Sequence, residues 1–130
     1  RRSEKMTSLR DAILAADDLE REEVTVEGWE FPVFVRVISG RERQQLVEKW
    51  QQVKEDEAAQ QDLLPFVCAL CLVDEEGSRP FDPAEPGDLD LLKSKGARQL
   101  ESIYHAAMRL NGMEDDSLDE AVANFQDSQN

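Results

Sequence analysis

The most apolar stretch of the chain, Leu63–Val73, constrains its fold more than any other feature. Phe66, Val67, Ala69, Leu70, Leu72 and Val73 leave no polar face, and a helix without one belongs at the centre of a core. The pattern predicts a helix from Leu63 to about Val73. Asp62 would cap it, and Pro65 would fall in the first turn, where a missing N–H is tolerated. The rest of the chain must wrap this segment.

The covering elements can be read from spacing. Ser8 is placed to cap a short helix in which Leu9, Ala12, Ile13 and Ala16 form one apolar stripe. Val24-Thr25-Val26 and Phe31–Ile38 alternate as strands, with Gly28 between them, so a β-hairpin is expected. Pro32 donates nothing to a ladder and puts the start of the second strand at an edge. Phe34 and Ile38 lie opposite Val33, Val35 and Val37, so that strand is expected to be covered on both faces. Ser39-Gly40-Arg41-Glu42 has capping-box spacing and opens a helix running to about Ala59. Leu46, Val47, Trp50 and Val53 form its apolar side.

Asp74-Glu75-Glu76-Gly77 reads as a turn, and Pro80, Pro83, Pro86 and Gly87 mark an extended loop. Leu89, Leu91 and Leu92 indicate a short helix. Ser94 would cap a longer one with Leu100, Ile103, Tyr104, Ala107 and Met108 on one face, stopped by Asn111-Gly112. Ser117–Glu120 is a second capping box, opening a last helix with Leu118, Val122 and Phe125 on one side. The expected fold class is α+β, mainly helical, with one β-hairpin packed against four to six helices. Residues 1–8 read as a disordered or tag-like N-terminus, with Met6 resembling a natural start. Residues 9–125 read as a single domain, and 126–130 as a frayed polar tail.

Charge narrows the function classes. Twenty-nine acidic residues face fifteen basic ones, for a net charge of −14 on 130 residues. Such a chain repels phosphate backbones and anionic lipid, so neither nucleic acid nor membrane is expected as a partner. No stretch is long and apolar enough to span a bilayer. Cys68-Ala69-Leu70-Cys71 is a CxxC, but it falls mid-helix in the most apolar segment. It lacks a second ligand pair, and His105 is the single histidine. No catalytic group, metal or cofactor is therefore expected. Carboxylate pairs such as Asp17/Asp18 and Asp115/Asp116 sit at turns without an EF-hand loop.

Binding surfaces are the remaining use for the chain. Trp29 sits at the hairpin tip, where a core role is least favoured, and tryptophan is enriched among interface anchors. Trp50 lies on an apolar stripe and reads as core. Phe81 and Phe125 flank acidic segments and either dock a partner or fold back. Residues 111–130 carry six carboxylates and no basic side chain. A helix there would expose Leu118, Val122 and Phe125 on leaving the domain. The candidate partner-binding residues are thus Trp29, Phe81, Leu118, Val122 and Phe125. The hairpin edge also offers pairing to a second copy, which leaves a homo-oligomer open.

Four pieces in order carry a family resemblance. They are Leu9–Asp18 (LRDAILAADD), the run from Val24–Trp29 through Val35–Ile38 into Ser39–Arg43, Leu72–Gly77 followed by Pro80-Phe81, and Ala106–Gly112 (AAMRLNG). In this order the chain resembles the tail assembly chaperones of long-tailed bacteriophages (siphoviruses) and prophages. The resemblance implies a non-enzymatic protein that binds the tape measure protein and keeps it soluble until tail tube subunits polymerise around it. It implies action in the host bacterial cytoplasm and absence from the mature virion. In many such phages a frameshift yields a longer form that recruits tube subunits. The family supplies no motif of binding residues, so the candidates above rest on aromatic and apolar reasoning. The alternatives are an acidic protein-binding module or nucleic-acid mimic that blocks a basic partner, and a small enzyme or metal protein using Cys68, Cys71 and His105.

Overall fold

The computed structural model describes residues 8–113. The expected helix at 117–125, with Leu118, Val122 and Phe125, lies outside the described residues, as do residues 1–7 and the tail at 126–130. Within those bounds the fold is α+β and mainly helical. Five helices accompany a three-stranded antiparallel sheet.

Helix α1 (Leu9–Ala15) starts where its cap dictates: Ser8 Oγ accepts the Asp11 N–H at 3.1 Å. None of its residues is buried. Residues 16–20 lead from it into strand β1 (Arg21–Thr25), which pairs with β2 (Pro32–Arg36) so that Val24 faces Val33. Gly28 adopts φ +87°, and the Trp29 N–H donates to the Val26 carbonyl at 3.0 Å, closing the hairpin turn. A φ of that sign suits glycine.

The sheet has a third strand that the spacing did not reveal. Leu72–Val73 is strand β3, not the end of the central helix, and it pairs antiparallel with Phe34 and Val35. β2 is therefore the middle strand. Val37 donates to the Glu20 carbonyl at 2.7 Å, so odd-numbered residues of β2 bond towards β1. Pro32 points its missing donor the other way, past the reach of β3.

Helix α2 (Gly40–Glu55) opens on the expected capping box. Ser39 Oγ accepts the Glu42 N–H at 3.2 Å, and Glu42 Oε1 accepts the Ser39 N–H at 2.7 Å. It stops before Ala59, because Asp56 adopts extended geometry and caps α3 (Glu57–Cys71) by accepting the Ala58 N–H at 3.0 Å. Asp62 is thus not the cap, and Pro65 lies inside the helix rather than in its first turn. The polar run Lys54–Gln61 carries no apolar stripe by which spacing could locate that boundary. Asp62 instead receives Lys49 and Lys93 as ion partners.

Helix α4 (Pro86–Lys93) has proline in its first turn. Ser94 closes α4, its hydroxyl donating to the Leu91 carbonyl at 2.6 Å, instead of opening the next helix. Helix α5 (Ala97–Leu110) begins after Gly96 and ends at Asn111, with Gly112 at φ +68°. The C-terminal half of α3 is the centre of the molecule. Val67, Cys68, Ala69 and Leu70 are fully buried among Val35, Leu46 and Ile103. Helices α2, α4 and α5 all pack on α3, and α5 also covers β1 and β2.

Candidate functional site

The hairpin tip carries the aromatic surface, in an arrangement the spacing only half anticipated. The Trp29 and Phe31 rings stack with centroids 5.5 Å apart and planes at 23°. Trp29 is half-buried and packs on the core, whereas Phe31 is 57% exposed. Trp29 is therefore the support and Phe31 the outward face. The tip is held to α5: Gln99 Nε2 donates to the Glu27 carbonyl at 3.0 Å, and Arg98 lies 3.3 Å from Glu27 Oε1. A supported, exposed ring loses little conformational entropy when a partner covers it.

Phe81 takes the other of its two expected uses. It is half-buried and packs against the core. The loop around it is fixed by the Asp82 N–H, which donates to Asp88 Oδ2 at 2.8 Å, and by Asp82 Oδ1, which accepts the Ala84 N–H at 2.9 Å. Trp50 also packs against the core, as its stripe implied.

Between α2, α3 and α4 lies an open groove of about 570 Å³ lined by Gln45, Lys49, Phe66, Arg79, Leu89 and Lys93, among others. Its cations are already engaged. Lys49 Nζ lies 5.5 Å from the Phe66 ring centroid and 3.9 Å from Asp62. Lys93 pairs with Asp62, whose hydrogen bond pushes the ammonium pKa up. The groove presents no concentrated charge for an anion.

At the start of α2, Arg36 and Arg79 converge on Glu42, with Arg36 Nη2 2.7 Å from Oε2. Arg79 Nε also donates to the Leu70 carbonyl at 3.1 Å, tying this cluster to α3. Burial alone would raise the Glu42 carboxyl. The Ser39 N–H and the two guanidinium groups outweigh it and hold the carboxyl below its usual range. This cluster joins elements and presents no free carboxylate.

Cys68 and Cys71 are free and buried, and burial pushes both thiols up to about 12. Cys68 Sγ sits 3.4 Å from the Leu100 carbonyl. His105 is exposed, with its ring edge-on to Tyr104 at 5.5 Å. Among the described residues no three His, Cys, Asp or Glu side chains gather to hold a metal ion. Nor is any described helix long and apolar enough to cross a membrane.

Two exposed apolar features were missed by sequence reasoning. Phe31 was read only as a strand residue. The spacing marks an apolar stripe on α1 without saying what covers it, and Leu9 and Ile13 of that stripe, with Leu14 beside it, stand open to solvent. The signal available for Phe31 was its place beside Trp29 at a glycine turn. For α1 it was the short stripe followed directly by Asp17-Asp18. The chain matches no family model, no curated protein and no solved structure.

Proposed function

We propose that this chain is a non-enzymatic tail assembly chaperone that binds the tape measure protein and keeps it soluble during phage tail morphogenesis. The observation that carries the reading is the Trp29–Phe31 stack: a rigid exposed ring on a molecule of net charge −14. High like charge keeps a holder dispersed while it offers limited apolar surface to a client. The ordered likeness of four segments to tail assembly chaperones supplies the client. Tail tube subunits are the second partner in this scheme. The site of action is the host bacterial cytoplasm, before the virion is complete.

The test is co-expression with fragments of the tape measure protein encoded beside this chain. The wild type is expected to hold a fragment in the soluble fraction and to co-purify with it. Phe31→Ser is expected to release it without changing the thermal midpoint. A tape measure protein equally soluble with and without the chain, and no co-purification, would overturn the reading.

A further inference from the structure

Helix α1 is folded and capped, and none of the described residues buries it. Leu9 is 76% exposed, Ile13 61% and Leu14 69%, and no side chain of α1 is buried against the domain. A free helix of this length is marginal in water, so an apolar side laid on a partner would stabilise it. Residues 16–20 connect it to β1 without regular structure. Leu19, on that connection, is also exposed.

From Leu9 to Glu20 the charge beside this stripe is mostly acidic, with the bases Arg1, Arg2 and Lys5 upstream of it in the sequence. Asp11, Asp17, Asp18 and Glu20 are accompanied by one base, Arg10, over residues 9–20. No ion pair joins any of these four carboxylates to another described residue. Arg21, next along the chain, is turned away over the Phe34 ring and towards the Asp74 carbonyl. An occupant that complements both features has an apolar stripe edged with lysine or arginine. We propose that α1 and its acidic connection form a docking arm for a cationic amphipathic helix of a partner protein. The inference rests on the holding role proposed above and adds a second contact and its chemistry.

Other occupants fit less well. A second copy would bring a like-charged arm against this one. Three side chains offer roughly 100 Å² each, well short of the ~800 Å² per partner of a stable interface. An anionic bilayer is repelled by the same carboxylates. A contact this small is weak alone and suits reversible, repeated engagement of a long client.

The experiment titrates the full chain by calorimetry with a synthetic Leu/Lys amphipathic helix and with its Leu/Glu counterpart. The Leu/Lys peptide is expected to bind and to weaken with salt, and the Leu/Glu peptide not to bind. Leu9→Ala/Ile13→Ala keeps helix-forming residues and is expected to weaken binding at least tenfold with an unchanged urea midpoint. Asp17→Asn/Asp18→Asn is expected to lower affinity several-fold and to flatten the salt dependence. Equal affinity in both variants, or equal binding of the two peptides, overturns the proposal. So does self-association in sedimentation that Leu9→Ala/Ile13→Ala abolishes, or binding to phosphatidylcholine vesicles that it abolishes. Tape measure fragments separate this inference from the preceding one. Fragments held equally by wild type and Leu9→Ala/Ile13→Ala leave the chaperone reading and remove the arm. Loss of peptide binding in that variant, with no fragment held by any form, leaves the arm and removes the tape measure protein as client.

Discussion

Asn111 Oδ1 accepts the Ile38 N–H at 2.8 Å, so the residue that ends α5 also terminates the strand leading into α2. The same amide donates from Nδ2 to the Arg36 carbonyl at 3.3 Å and to the Ala107 carbonyl at 2.9 Å. One side chain thus satisfies backbone groups of the sheet segment and of the last helical turn. Replacing it strands the Ile38 N–H and takes a donor from the Arg36 carbonyl in a partly buried place, while the Ala107 carbonyl keeps the Asn111 backbone N–H.

Asn111→Ala is expected to cost about 1–3 kcal/mol, the penalty for leaving such groups unpaired. Urea unfolding followed by far-UV circular dichroism measures it. Asn111→Asp is expected to lose less, because it keeps the acceptor for Ile38. Equal losses would mean that the Nδ2 bonds carry the effect.

Glu42 gives a pH dependence of definite sign. Its folded pKa lies below its unfolded value, so the stability it contributes is present above about pH 4.3, where the unfolded carboxyl is ionised. That contribution is lost as pH falls through the lower, folded value. Glu42→Ala removes half of the capping box and the shared partner of Arg36 and Arg79. At pH 7 it is expected to cost about 2–4 kcal/mol. The gap between wild type and variant is expected to narrow in urea titrations stepped from pH 5 down to pH 3.

The stacked pair at the hairpin tip separates stability from binding. Phe31→Ala is expected to shift stability by less than about 0.5 kcal/mol, as exposed positions do, while weakening capture of tape measure fragments. Trp29→Ala is expected to cost at least about 1 kcal/mol as well, because Trp29 packs on the core. Thermal midpoints and pull-downs on the same two variants decide this.

Burial makes the thiols reporters of opening. With both near 12, thiolate at pH 8 is about 10³-fold scarcer than for a free cysteine. Labelling of native protein by a disulfide reagent is expected to be slower than in urea by at least that factor. Fast labelling of native protein would place Cys68 and Cys71 outside the core.

Local rules were legible where one residue decides the structure. Ser8, the Ser39/Glu42 box, Gly28, Gly77 and Gly112 all sit where their chemistry requires. What was hidden depends on partners distant in sequence. Leu72 and Val73 continue an apolar run, and only their pairing with Val35 and Phe34 makes them a strand. Asp56 and Asp62 are equal as caps on paper, and Lys49 and Lys93 draw Asp62 elsewhere. The stripe of α1 looks the same whether its own domain or another molecule covers it. Phe31 and Trp29 are adjacent in pattern, and tertiary packing alone decides which ring faces outward.

Pro65 divides α3 into unequal halves. Before it, Ala59 is the one buried residue, and from Pro65 to Cys71 every residue is buried. The ring withholds a donor from the Gln61 carbonyl at that boundary, which weakens the ladder between the two halves. Amide protons of residues 57–64 should therefore exchange with deuterium through local fraying, on a timescale set by a turn or two of helix. Those of 66–71 should wait for the whole domain to open.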